Sequence, residues 1–417
     1  MKIAIWHNLP SGGAKRALYY QIKGLLEKGH TVKAWCPPTV NRTYLPLENL
    51  IEENIVPLDW RTRQPNWLLP SKFIAYSNTV YDLKALDQHC QICAEQINQE
   101  KFEILLAHNS IFLPATSIGK YVNIPKIIYL PEPYRKLYEA SPNSPWSALP
   151  LSKEFILSPK YWKRIVGDLI EVQAARIRVR EEISNAKAYD MILVNSRFSR
   201  ESVLRAYGLE SKVCYLGVDT ELFRPTQLQR ENFVVGMGSI GFNKGIDRAI
   251  RTITTIPLEK RPNLLWIGNV AYKTYQQEME KLAKSLGVNF IPKVQLTDQE
   301  IVDILSRATV MLYTSRLEPF GFAPLEANAC ETPVVAIAEG GVRETIEDGI
   351  NGIVIDDDNP TAIGQAVLNL LDNPELAGVM GIAARKRVIE KWTWSQSIET
   401  LEKYLLEAIN LKLKNNE

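Results

Sequence analysis

Short apolar runs of four to five residues alternate with amphipathic stretches along almost the whole sequence. Parallel strands covered on both faces by crossover helices read this way, so the alternation commits the chain to an α/β fold of βαβ units. In the first half we expect strands over 3–6, 31–36, 104–107, 127–130, 191–194 and 213–216. In the second half we expect them over 233–236, 264–267, 289–291, 310–313, 334–337 and 352–355. At roughly 150 residues per domain, the 417 residues suggest two domains. Periodicity lapses over 216–231, which places the boundary after residue 216 and predicts two doubly wound, Rossmann-like sheets.

The stretch with the most chemistry runs from Ser315 to Glu326 and reads Ser-Arg-Leu-Glu-Pro-Phe-Gly-Phe-Ala-Pro-Leu-Glu. It follows an apolar run and leads into a helix-forming one. Glu318 falls in the Gly/Pro-bearing loop, and Glu326 is expected in the first turn of a helix opened by Pro324. A helix N-terminus offers backbone N–H groups to a phosphate, and carboxylates accept hydrogen bonds from sugar hydroxyls. Phosphate and sugar together indicate a nucleotide-sugar.

Other loops at strand ends add to this. Ser11-Gly12-Gly13 precedes a helix whose Ala14, Leu18, Ile22, Leu25 and Leu26 share one face and which Gly29 closes. Two positions without side chains allow close approach of backbone to a ligand, although a Gly-Gly turn alone is more often only a turn. There is no G-x-G-x-x-G here, so a dinucleotide fingerprint is not supported. Gly238-Ser239-Ile240-Gly241-Phe242-Asn243-Lys244-Gly245 joins a strand to a helix and ends in a lysine able to reach a diphosphate, without P-loop spacing. His108 ends a strand where open α/β sheets place ligand contacts, and His7 is a second candidate. Thr297-Asp298-Gln299-Glu300 reads as a capping box.

Charge excludes as much as it suggests. The 49 Lys+Arg against 47 Asp+Glu give no bulk reason for a nucleic-acid partner. Five cysteines make no disulfide framework, and Cys90-Gln91-Ile92-Cys93, beside His89, lacks the second pair a zinc site would need. These read as buried thiols in a reducing compartment. No Asp-x-Asp or other divalent-ligand spacing stands out, so we expect chemistry without an essential metal, with phosphate charge met by Lys244, helix N-termini and an arginine such as Arg16 or Arg197. The start of the chain has no signal-peptide pattern and no stretch of about 18 apolar residues occurs, so a cytoplasmic protein is expected. The irregular region 134–182 carries Pro145, Trp146, Trp162, Lys163 and Arg164, then a helical run with Arg176, Arg178 and Arg180. A solvated helix face is the favoured reading there, with peripheral contact at the inner face of a membrane as the other.

These residues together resemble the retaining glycosyltransferases of family 4, over nearly the whole chain. The most specific part is Glu318 to Glu326 with its continuation to Pro333, which is similar to the family's E-x7-E signature. Supporting it are Ser11 to Ala14, the strand ending in His108, Asn195 to Ser199, Gly217-Val218-Asp219 with Phe223-Arg224-Pro225, and Gly340-Gly341-Val342-Arg343-Glu344. The resemblance implies a GT-B fold, two Rossmann-like domains facing across a cleft. It implies a C-terminal domain over 217–392 and a final helix, 393–417, returning to the N-terminal domain.

For the site, the resemblance implies that Glu318 contacts the donor sugar, Phe320, Gly321 and Phe322 supply backbone N–H groups, and Glu326 binds the ribose. Lys244 holds the diphosphate, Gly12 and Gly13 approach the phosphates, and His108 lies near the transferred sugar. Where the family commonly has Gly-Arg, this chain has Gly238-Ser239. One charge-assisted contact of roughly 1.5–3 kcal/mol is thereby missing, with Arg197 or Arg343 as candidates to replace it. The expected activity is transfer of a hexose from a nucleoside diphosphate sugar, UDP-glucose by our choice, to a glycan or lipid-linked acceptor. A nucleotide-sugar-binding protein with little turnover and a sugar phosphorylase are the alternatives.

Overall fold

In the computed structural model, residues 1–60, 71–138, 158–356 and 358–415 are described. Pro145 and Trp146 lie outside them. The chain forms two compact units, one of Met1–Val194, Arg200–Val213 and Leu401–Glu417, the other of Asn195–Ser199 and Cys214–Thr400. The last helix, Trp394–Asn415, starts in the second unit and ends in the first.

The first unit holds β1 (Lys2–Asn8), β2 (Thr31–Cys36), β3 (Glu52–Ile55), β4 (Ile104–Ser110), β5 (Lys126–Tyr129), β6 (Met191–Val194) and β7 (Lys212–Val213). They form one parallel sheet in the order β3-β2-β1-β4-β5-β6-β7. The second holds β8 (Glu231–Met237), β9 (Asn263–Gly268), β10 (Phe290–Val294), β11 (Ala308–Tyr313), β12 (Val334–Ile337) and β13 (Gly352–Ile355). Its parallel order is β10-β9-β8-β11-β12-β13. Both are the doubly wound sheets that the apolar alternation predicts.

Two strands depart from expectation. β3 was not anticipated, because Glu52-Glu53-Asn54-Ile55 has no apolar run; it is an edge strand, where polar residues are tolerated and discourage further pairing. The strand expected over 213–216 is only Lys212–Val213, because at Cys214 the chain enters the second unit and the Tyr215 hydroxyl donates to Glu344 there.

Helix Gly13–Glu27 packs Leu18, Ile22 and Leu25 inward, and Gly29 and His30 close it by donating N–H groups to the Leu26 and Leu25 carbonyls. Its buried face differs at the margins from the expected one. Lys15 and Gln21 are buried there, while Ala14 and Leu26 are only partly covered. In the second unit, helix Ile246–Thr254 buries Ile246, Ala249, Ile250 and Ile253 in the core with Val234 and Val310. Thr297 and Glu300 form the capping box expected of helix Asp298–Arg307.

The strand order in each unit reverses beside its first strand, between β1 and β4 and between β8 and β11. Loops leaving the carboxyl ends of such strands diverge, which opens a crevice for ligands. The Gly12-Gly13 and Lys244 loops follow β1 and β8, His108 lies at the end of β4, and the Glu318 loop follows β11. Sequence candidates therefore fall at both reversal points.

Among the described residues no helix is long and apolar enough to cross a membrane. Of the three arginines in helix Pro159–Ala186, Arg176 and Arg180 are exposed. Arg178 instead lies 4.8 Å from the Phe112 ring centre and donates to Thr79, so it is a packing residue. All five cysteines are buried and none forms a disulfide.

Candidate functional site

In the second unit the two loops at the order reversal meet. Lys244 Nζ donates to Glu318 Oε2 at 2.7 Å, and the two side chains are 22 and 24 % exposed. Seventy-four residues of sequence separate them. Each loop is fixed by contacts that only particular residues permit. Gly245, at φ 68°, has a position where a Cβ would lie 2.3 Å from the Thr314 carbonyl oxygen. Thr314 Oγ1 donates back to the Gly245 carbonyl at 2.8 Å. Trp266 Nε1 donates to the Gly238 carbonyl at 3.0 Å and so pins the other end of the lysine loop.

Gly340 and Gly341 brace the carboxylate loop. A Cβ on Gly340 would sit 2.4 Å from the Glu318 carbonyl oxygen, and the Gly341 N–H donates to that oxygen at 2.8 Å. Leu317 takes φ 51°, a costly left-handed conformation for a branched residue, immediately before Glu318. In the sequence the Gly-Gly pair is only a supporting match. In the fold it sets the height of the Glu318 backbone.

The helix after Glu318 runs Phe322–Ala329, two residues earlier than expected, with Gly321 as its N-cap. Pro324 is thus third in the helix, still among the positions whose N–H would go unpaired, and Glu326 falls just past the first turn. Glu326 is buried at 4 % exposure. Phe320 is buried and packs edge-on against Trp392, while Phe322 lies against Phe320 and Trp394.

The arginines offered as replacements at Ser239 both belong to the second unit. Backbone N–H groups of Arg197 and Phe198 donate to the Glu344 carboxylate, which caps helix Arg197–Tyr207. Arg343 Nε points to the Gly340 carbonyl at 3.4 Å, beside the carboxylate loop. Arg16 belongs to the first unit, where it donates to the Tyr44 hydroxyl.

Gly12, Gly13 and His108 also belong to the first unit. Gly12 caps helix Gly13–Glu27, and nothing lies within 4 Å of where its Cβ would be, so the loop has room beside it. His108 is buried, stacked on Tyr129, and its Nε2 has no hydrogen-bond partner. Burial, then the nearby His7 and Lys15, drives its pKa down to about 3, so the ring is neutral at physiological pH. His7, also buried, hydrogen-bonds Glu53 at 2.9 Å. Sequence spacing shows no metal-ligand set, yet folding brings His7, Cys36 and Glu53 together. That grouping needs β3, which sequence patterning does not reveal.

Two doubly wound sheets, one of them presenting a lysine and a carboxylate in glycine-braced loops, define a GT-B-type glycosyltransferase fold. Residues 218–387, within the second unit, match the family of glycosyl transferases group 1. A GDP-mannose-dependent α-(1-6)-phosphatidylinositol monomannoside mannosyltransferase of Mycolicibacterium smegmatis is 30 % identical over 49 % of this chain and 59 % of its own length. A D-inositol 3-phosphate glycosyltransferase of Corynebacterium diphtheriae is 28 % identical over 60 % of this chain and 62 % of its own. The chain thus spans less than two thirds of either curated relative. Among solved structures, a sucrose-phosphate synthase of Thermosynechococcus elongatus superposes with TM-score 0.71 at 16 % identity, covering 99 % of this chain and 100 % of the other. Anabaena HepE in complex with UDP does so with TM-score 0.68 at 17 % identity, over 98 and 100 %. At such identities the superpositions speak for the fold alone.

Proposed function

We propose that this chain is a retaining glycosyltransferase that moves a hexose from a nucleoside diphosphate sugar to a hydroxyl of a glycan or lipid-linked acceptor, without an essential metal in the transfer step. The observation that carries this reading is the Lys244–Glu318 pair, held 2.7 Å apart by loops that glycines brace. A partly exposed ion pair exchanges partners at small cost, since its net stability is only about 0–1 kcal/mol. A diphosphate takes Lys244, and the released Glu318 carboxylate accepts from sugar hydroxyls. Glu326, one turn on, receives the ribose.

As the glycosidic bond breaks, negative charge grows on the leaving diphosphate, where Lys244 and the N-terminus of helix Phe322–Ala329 stabilise it. Gly12, Gly13 and the neutral His108 are assigned to the phosphates and the transferred sugar on the strength of the family pattern. Glycan acceptors carried on lipids suit a chain with exposed Arg176 and Arg180, and peripheral contact with an anionic membrane belongs to the same reading.

For the donor, the sequence reading names UDP-glucose, whereas the mycobacterial relative is named for GDP-mannose. Incubating the protein with labelled UDP-glucose, UDP-galactose and GDP-mannose and a panel of lipid-linked acceptors tests both levels. Transfer with the anomeric configuration retained supports the proposal. Tight donor binding with neither transfer nor slow hydrolysis replaces it with a binding protein, for which Ser239 is the motive, and a strict requirement for free phosphate replaces it with a phosphorylase.

A further inference from the structure

The carboxyl edge of the first sheet carries a row of chemistry that the transfer reaction leaves unused. His7 on β1, Cys36 on β2 and Glu53 on β3 lie on three adjacent strands, with Glu53 opposite Ala34, two residues before Cys36. One ring nitrogen, the Sγ and one carboxylate oxygen lie within 4.8 Å of one another. His7 and Cys36 have no solvent exposure, and the Glu53 side chain is 4 % exposed. One ring nitrogen of His7 hydrogen-bonds Glu53, and the other, Nδ1, is buried with no partner at all. The imidazole nitrogen that faces Glu53, the thiol and the carboxylate are packed together away from water, where their charge must be matched by a partner.

We propose that His7, Cys36 and Glu53 form a structural binding site for a zinc-class divalent ion, separate from the donor site. The ligand types are those zinc accepts: an imidazole nitrogen, a thiolate and a carboxylate, with bonds of roughly 2.0–2.3 Å. These three ligands would take three corners of a tetrahedron, roughly 3.3–3.8 Å apart, which small side-chain rotations within the observed cluster allow, and a water would take the fourth. Softness argues against magnesium or calcium, which take oxygen ligands. Binding displaces the Cys36 proton to solvent and leaves one thiolate and one carboxylate against the two charges of the ion, a neutral set.

The cations that face this cluster are Lys15, from helix Gly13–Glu27, and Arg42. Lys15 is itself buried and is the ion's competitor for Glu53. This competition gives the proposal a handle that a plain packing cluster lacks. Removing the ammonium while keeping the stem, as in Lys15→Met, tightens metal binding, by roughly tenfold for a lost like-charge repulsion of about 1.4 kcal/mol. The ion would tie together three neighbouring strands, β1, β2 and β3, and its role is to hold that side of the sheet.

The test uses the full chain, freed of any affinity tag and of metal, then titrated with Zn²⁺ and with Co²⁺. We expect about one ion per chain, a raised melting temperature, and for cobalt the near-ultraviolet absorption of a thiolate–metal bond. Cys36→Ser abolishes that absorption, Cys330→Ser in the other unit leaves it intact, and Glu53→Gln weakens uptake. Absence of a thiolate band from folded, cobalt-saturated wild-type protein overturns the proposal whether or not the variants fold. So does a band that survives Cys36→Ser, or Lys15→Met leaving the zinc affinity unchanged.

Discussion

Each unit gathers polar residues around its first strand, β1 or β8, and the two treat them in opposite ways. In the second unit Lys244 and Glu318 keep about a fifth to a quarter of their surface in water. In the first, His7 and Glu53 are sealed at 0 and 4 % exposure, and His108 beside them is buried as well. Desolvation separates the two designs. A half-hydrated ion pair can trade a carboxylate for a phosphate with little loss, whereas leaving a buried polar group without its hydrogen-bond partner costs about 1–3 kcal/mol. Partner exchange is therefore cheap at Lys244–Glu318, while the His7–Glu53 bond is the fixed one. The family match follows the same division, since it covers residues 218–387.

The largest expected effect tests the exchangeable side. Lys244→Ala should lower kcat/KM by roughly 10²–10³-fold, as loss of a single group that stabilises transition-state charge does. Its stability should change by no more than about 1 kcal/mol, because the pair it breaks is partly exposed. Nucleotide release assays and thermal unfolding on the same preparation read both quantities. A large fall in stability with little change in turnover would move Lys244 to the fixed class and dissolve the contrast.

Next in size is the division of labour between the carboxylates. Glu326→Ala should weaken binding of the free nucleoside diphosphate itself by about 10–100-fold, the value of one charged hydrogen bond. Glu318→Gln should impair turnover but not free-nucleotide affinity, since it releases Lys244 from its internal partner. Calorimetric titration with UDP and GDP decides the matter. Equal losses in both variants would end the assignment of one carboxylate to sugar and the other to ribose.

What was legible in the sequence follows from range. The Glu318–Glu326 loop, the Thr297 capping box and most strands are written in residues close together, so pattern and spacing reveal them. Gly340 lies far down the chain from Glu318, and that it braces the Glu318 carbonyl shows only once β11 and β12 stand side by side. His7 and Glu53 are forty-six residues apart, and Glu53 sits on an edge strand with no apolar signature. Lys15 carries no signal of burial in the sequence, yet it is covered together with Ala17, Leu18 and Gln21 on the inward side of its helix. Local grammar gave the reactive loops; the buried cluster is a product of topology.

The smallest effect, and the sharpest on the contrast, is the response to acid. All four histidines lie in the first unit. Burial lowers the pKa of His7, His89 and His108, the last from 6.5 to about 3. A base with a depressed folded pKa takes up its proton first in the unfolded chain. The stability it supports is therefore full above about 6.5 and falls toward about 3, at about 1.4 kcal/mol per pH unit for each such group. Glu182 opposes this: burial raises its carboxyl from 4.5 to about 7, so its contribution is full below 4.5 and is lost as pH rises through 7. His108 alone acts from about 6.5 down to about 3, below the range in which Glu182 acts most, and His7 and His89 act in the same direction. The first unit should therefore lose stability before the second as the solution is acidified. Scanning calorimetry from neutral to mildly acid pH should show the transition of the first unit moving down ahead of the other. His108→Gln should shallow that shift by up to one proton, and Glu182→Gln should steepen it across the range in which the native carboxyl opposes the histidines. If both units move together and His108→Gln changes nothing, the ring at 108 is titrating in water, and the first sheet's edge is as open to exchange as the second's.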